Sequence, residues 1–195
     1  MMSNGAQRPA RRSSLLLQIK ELLVKRWSGL IVAMSVCVLG LQAADAAAVA
    51  DAAAVGGNAP EFALPAVAGG NVRLSEYRGD VVLLTFWSSR CALCLSQLTA
   101  LDDLQTTYRS AGLVTLAISV DDDPIRAAQF ARAHQAHFPL LLDRKKGVSR
   151  AYGIERLPTM VLIDRRGRVS NLQADFRGID DLYIARLRAL LDDPL

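Results

Sequence analysis

Val81-Val-Leu-Leu-Thr-Phe86 is an unbroken β-rich apolar run, and the stretch from about Ala92 to Ser110 behind it carries Leu98, Leu101, Leu104 and Tyr108 at helical spacing. A strand that is apolar on both faces must be covered on both faces, which excludes a one-sided antiparallel sheet. A buried strand running within a few residues into an amphipathic helix is a βα unit, so the chain is committed to layered α/β architecture. Between the two sits Cys91-Ala92-Leu93-Cys94.

The rest of the C-terminal two thirds extends the pattern. Glu61–Pro65 and Asn71–Leu74 around Gly69-Gly70 predict a short hairpin, and Val114–Val120 predicts the strand after the first helix. Asp123 followed by Pro124 opens a second helix to about His134, with the acid as cap and the proline in the first turn. A short strand is expected at Phe138–Leu142, a helical turn at Val148–Tyr152, a hairpin of Met160–Asp164 with Arg168–Leu172 about Arg166-Gly167, and a closing helix at Asp180–Leu191. Strand-helix alternation ending in a hairpin and a helix implies an α/β fold with a mixed central sheet flanked by helices, preceded by an N-terminal β-hairpin extension.

Charge divides the 195 residues differently. Residues 1–26 carry six basic side chains and one acid, residues 27–57 only Asp45 and Asp51, and residues 58–195 carry 17 basic against 16 acidic. The net charge of +4 therefore belongs to the N-terminus, and a neutral domain without a basic face argues against nucleic acid as a partner. Trp27 to Ala44 are 18 uncharged residues behind that basic cluster, an arrangement that leaves residues 1–26 on the inner side of a membrane and places everything after the apolar stretch on the far side. Residues 1–43 thus read as a basic leader plus an apolar signal or anchor segment. The small-residue run Ala44-Asp45-Ala46 suits cleavage, while the long leader suits an uncleaved anchor across residues 27–44. Either outcome exports residues 58–195, as a soluble periplasmic or otherwise extracytoplasmic domain or one tethered to the inner membrane. Residues 44–57, with Ala-Asp-Ala-Ala-Ala-Val written twice, read as a linker without chemistry. Cys37, inside the apolar run, reads as a small hydrophobe.

The remaining two cysteines carry the chemistry. Unpaired N–H groups at a helix N-terminus stabilise an anion, so Cys91 is expected to be partly thiolate near neutral pH. Cys94 falls on the same face one turn deeper, within disulfide reach. The outer sulfur would attack a partner disulfide, and the inner one would resolve the mixed disulfide. Two other readings stand beside this one: inert core cysteines, or a copper or zinc site completed by His134 or His137. The wide separation of those histidines from Cys94 disfavours the metal, so no metal site is assigned.

Asn58-Ala-Pro-Glu-Phe-Ala-Leu-Pro65, Val72-Arg-Leu-Ser-Glu-Tyr-Arg-Gly79, Val81-Val-Leu-Leu-Thr-Phe-Trp87, the CxxC, Tyr152-Gly153 and Leu157-Pro-Thr-Met-Val-Leu-Ile-Asp164-Arg-Arg-Gly167 together resemble the TlpA/ResA type of thioredoxin-fold thiol-disulfide oxidoreductase. The resemblance spans nearly all of residues 58–195. It implies that Pro158 is a cis-proline facing the redox pair, that Leu157 and Thr159 flank a partner segment, and that Trp87 lies beneath the site. It implies protein thiols and disulfides as partners, a reductive direction, a task such as cytochrome c maturation, and no cofactor beyond the Cys91-Cys94 disulfide. The sequence departs from the family at Arg90, where a tryptophan is usual, and at Ala92-Leu93, where many members have proline. Thr85 and Gln97 stand at positions where relatives carry a buried acid that accepts the resolving thiol's proton. Arg90 is expected to favour the Cys91 thiolate. A peroxiredoxin-type peroxidase on the same fold is the alternative, although Leu84 and Ser88 replace that family's proline and threonine.

Overall fold

The computed structural model describes residues 53–134, 136–175 and 178–194. The leader, the apolar segment and most of the linker, with Cys37, lie outside the described residues. Among the described residues no helix is long and apolar enough to cross a membrane.

A five-stranded sheet is built on β3 (Val81–Trp87), all seven of whose residues are buried. On one side β3 pairs in parallel with β4 (Leu113–Ser119), which pairs in parallel with β5 (Leu140–Leu142). On the other side it pairs antiparallel with β6 (Thr159–Ile163), which forms a hairpin with β7 (Val169–Ala174). The order β5-β4-β3-β6-β7 is the mixed sheet that the sequence pattern calls for. The two short strands β1 (Ala63–Pro65) and β2 (Asn71–Arg73) make the N-terminal hairpin.

Side chains alternate along β3, and each face meets its own apolar layer. Val81, Leu83 and Trp87 join Leu98, Leu101 and Leu104 of α1 (Ala92–Tyr108), Ala127 of α2 (Pro124–His134), and Tyr183, Leu187 and Leu191 of α4 (Asp181–Asp192). Val82, Leu84 and Phe86 join Phe62 and Leu64 of the hairpin region, Val148 of α3 (Gly147–Ala151) and Tyr152. Burial of each large side chain contributes about 1.5–3 kcal/mol, so β3 anchors the fold from both sides.

The ends follow their local signals. Asp123 Oδ1 accepts the Ile125 N–H at 2.9 Å at the start of α2, and Asp180 caps α4 by accepting the Tyr183 N–H at 2.7 Å. The first helix is expected to reach Ser110; α1 instead ends at Tyr108, tightens into a 3-10 turn over Arg109–Ala111 and stops at Gly112, whose φ of 93° is left-handed. β5 starts at Leu140 rather than Phe138, because Phe138 is spent on the core and Pro139 has no N–H to give a ladder. At the end of the linker, the Gly56 N–H donates to Val169 O at 2.7 Å and the Val169 N–H to Gly57 O at 2.9 Å, so residues 56–57 run against the start of β7.

Candidate active site

Because β3 and β4 are parallel, their C-terminal ends share one edge of the sheet, and the connection Ser88-Ser89-Arg90-Cys91 leaves from it. Cys91 is the N-cap residue of α1, with extended backbone (φ −89°, ψ 109°), no side-chain capping bond and no acid in the first helical turn. The N-terminal dipole of α1 is therefore not neutralised from within the helix. Cys91 and Cys94 are disulfide-bonded, with Cα atoms 5.3 Å apart. Cys94 is fully buried and Cys91 half-buried, so only Cys91 offers sulfur to an incoming group. Leu93 between them is 56% exposed.

The Leu157–Pro158 peptide is cis. Pro158 is buried and immediately precedes Thr159, which is in register with Phe86, so it lies at the same edge as the end of β3. The Thr159 hydroxyl donates to Arg156 O at 2.8 Å, turned inward rather than outward. Leu157 is half-buried and, like Cys91, packs on the apolar layer that contains Cys94 and Trp87.

Behind the disulfide the environment is neutral. Thr85 Oγ1 donates to Gln97 Oε1 at 2.7 Å, both residues are fully buried, and Gln97 lies one turn after Cys94 on the same face of α1. The Gln97 Nε2 and the Trp87 Nε1 find no hydrogen-bond partner among the described residues. Trp87 stacks on Phe130 with ring centroids 4.8 Å apart, so it is packed into the layer under the redox pair.

Asp121, absent from the expectations above, is the ionisable group built most deeply into this edge. It is 8% exposed and accepts hydrogen bonds from the hydroxyls of Ser88, Ser89 and Ser119 and from the Ser89 N–H. Burial pushes its carboxyl upward, but these four donors outweigh that and hold it below the ordinary carboxylate range. A signal existed in the sequence: serines following one parallel strand and an acid following the next are brought to one edge when the strands pair. Arg90 is exposed, and its charge acts on Asp122, which Lys146 holds below the usual carboxylate range by hydrogen bond and charge. The histidines do not converge on the cysteines: His137 pairs with Asp102 at 2.7 Å and His134 stacks on Phe130. Among the described residues no three His, Cys, Asp or Glu side chains form a metal-holding group.

A disulfide at the mouth of a helix, behind a parallel strand pair and beside a cis-proline, defines a thioredoxin-fold thiol-disulfide oxidoreductase. The sequence profile of the AhpC/TSA family matches residues 55–172, well over half of the chain, and the protein belongs to that family. It is 36% identical over 121 residues to the thiol-disulfide oxidoreductase ResA of Geobacillus thermodenitrificans, covering 62% of this chain and 70% of the relative. ResA of Geobacillus kaustophilus matches with the same identity and coverage. A crystal structure assigned to a thiol:disulfide interchange protein, DsbE, of Chlorobium tepidum superposes with a TM-score of 0.66 at 34% identity, over 69% of this chain and 95% of that one.

Proposed function

We propose that this oxidoreductase works outside the cytoplasm as a reductant of protein disulfides, with cytochrome c maturation as the task that the TlpA/ResA resemblance implies. The basic residues 1–26 and the uncharged residues 27–44 support export, with residues 44–57 as linker to a catalytic domain at 58–195. The observation that carries the exchange chemistry is the disulfide at the N-terminus of α1 with Cys91 reachable and Cys94 sealed.

In the dithiol form, the Cys91 thiolate attacks one sulfur of a partner disulfide, forms a mixed disulfide and expels the other sulfur, which takes up a proton. Cys94 then gives up its proton and attacks the Cys91 sulfur. The intramolecular disulfide forms, the partner sulfur leaves as a thiol, and two electrons have passed to the partner. A second dithiol protein must then restore the reduced pair. The turn at cis-Pro158, with Leu157 half-buried and Leu93 exposed, is where a partner segment would lie. Thr85 and Gln97 cannot accept the Cys94 proton, so the second step proceeds by proton loss to solvent or to the leaving sulfur and is slow.

Trapping tests this reading. Cys94→Ser should accumulate a Cys91-linked mixed disulfide with an extracytoplasmic protein, whereas Cys91→Ser should accumulate none. Equal trapping by both variants would overturn the assignment of Cys91 as the attacking sulfur. Steady hydroperoxide consumption by the wild type, with no protein disulfide reduced, would favour the peroxidase instead.

A further inference from the structure

Three acids in succession follow β4, and the structure gives each a different partner. Asp122 meets Lys146 Nζ at 2.7 Å on the surface. Asp123 caps α2. Asp121 turns back under the connection that carries Cys91. Its Oδ1 accepts from Ser88 Oγ at 2.7 Å and Ser89 Oγ at 3.0 Å, and its Oδ2 from the Ser89 N–H at 2.9 Å and Ser119 Oγ at 2.9 Å. Ser88, so held, accepts the Arg90 N–H on its hydroxyl at 3.3 Å and the Cys91 N–H on its carbonyl at 3.0 Å. A continuous chain of hydrogen bonds therefore runs from the end of β4 to the backbone of the reactive cysteine.

Four donors occupy the lone-pair sites of a carboxylate, and they favour its ionised form. Asp121 is therefore charged at neutral pH and has no free lone pair with which to take a proton from Cys94. Its contribution has to come through place and charge. We propose that Asp121 is a positioning residue of the exchange reaction: it fixes the turn that presents Cys91 at the mouth of α1, and its negative charge offsets part of the stabilisation that the helix end and Arg90 give the Cys91 thiolate. A less stabilised thiolate makes the disulfide less oxidising, which deepens the reductive reading above and rests on it. Of the other charges on elements around Cys91, Glu155 before the cis-proline is exposed, and three groups have neighbours of their own. Lys146 is paired with Asp122, Arg156 before the cis-proline with Asp175, and His134 lies against Phe130.

The test compares variants of the full-length chain. Asp121→Asn removes the charge while keeping an acceptor, and Asp121→Ser is a second, smaller neutral replacement should the first fail to fold. In either, the midpoint of Cys91 alkylation by iodoacetamide should move to lower pH, raising the thiolate fraction below that midpoint about 3–10-fold. The equilibrium with glutathione should move toward the dithiol by a similar factor. Ser88→Ala keeps the charge but removes one of the three bonds that tie Asp121 to the turn, together with the acceptor of the Arg90 N–H, so its midpoint should not fall while mixed-disulfide formation slows severalfold. Folded neutral variants with wild-type midpoint and equilibrium would overturn the proposal and leave the exchange reading intact. A wild-type protein that forms no mixed disulfide would instead sink the exchange reading itself.

Discussion

At the residue scale, Gln97 decides how Cys94 can react. A helical side chain leans toward the preceding turn, so the Gln97 amide, oriented by the 2.7 Å bond from Thr85, lies over the turn that holds Cys94. An amide there neither takes nor gives a proton. Gln97→Glu would place a carboxyl in the same buried position, where desolvation raises its pKa. Because that pKa is raised above the unfolded value, the variant should match the wild type in stability near pH 4 and lose about 2–3 kcal/mol as pH rises to about 8, measured by urea unfolding. The ionised form could accept the Cys94 proton, so release of a model mixed disulfide should speed up about tenfold or more with a new pH dependence. An unchanged, pH-independent release rate would show that proton removal does not limit the step. The cysteines were legible in the sequence because strand, spacing and helix fix them relative to one another, whereas Thr85 and Gln97 came into view only through the family resemblance. Asp121 was harder to read, because its donors Ser88 and Ser89 stand 33 and 32 residues away and only the parallel pairing of β3 with β4 brings them to it.

At the element scale, the boundaries that sequence placed well are those with a local cause: Gly112 after α1, Asp123-Pro124 before α2, Asp180 before α4. Features that depend on a distant partner were invisible. Gln105 reads as an ordinary polar helical residue, yet it is buried and serves as a substitute strand. Its Nε2 donates to Leu113 O at 3.1 Å and its Oε1 accepts the Thr115 N–H at 2.7 Å. β5 pairs with β4 only from Ala117 onward, so the first part of β4 lacks a neighbour on that side, and the glutamine satisfies it. Asp143 acts similarly at α3, where it accepts the Gly147 N–H at 2.9 Å and the Ser149 N–H at 2.7 Å. Gln105→Leu keeps the apolar stem but strands two backbone groups at a buried edge. It should lower stability by about 2–4 kcal/mol in urea unfolding and leave the Cys91 alkylation midpoint where it is, because Gln105 sits at the opposite end of α1. A shift of that midpoint would mean that β4 transmits strain along its length to the Asp121 turn.

At the scale of the whole molecule, two apolar layers on opposite faces of one sheet each enclose a tyrosine. Tyr152 donates from its hydroxyl to Pro60 O at 2.9 Å, joining the chain's entry into the domain to the segment before the cis-proline. Tyr183 sits in the layer beneath the redox pair, and its hydroxyl has no partner among the described residues. Burial raises both phenols above their ordinary value of 10.0, with Glu61 adding to the effect and Arg78 opposing it at Tyr152. A raised folded-state pKa means the native protein keeps protons that the unfolded chain loses. Both contributions are whole below about pH 10, and each is lost above it by about 1.4 kcal/mol per pH unit. Tyr152→Phe and Tyr183→Phe should each make the alkaline fall of unfolding free energy shallower by that amount between about pH 10 and 12. At neutral pH the two should differ. Tyr152→Phe removes a hydrogen bond and should cost about 1 kcal/mol, while Tyr183→Phe removes only an unpaired hydroxyl and should be neutral or slightly stabilising. Equal losses at neutral pH would show that the Tyr183 hydroxyl is satisfied in solution, and an unchanged alkaline slope in either variant would show that its phenol ionises without unfolding.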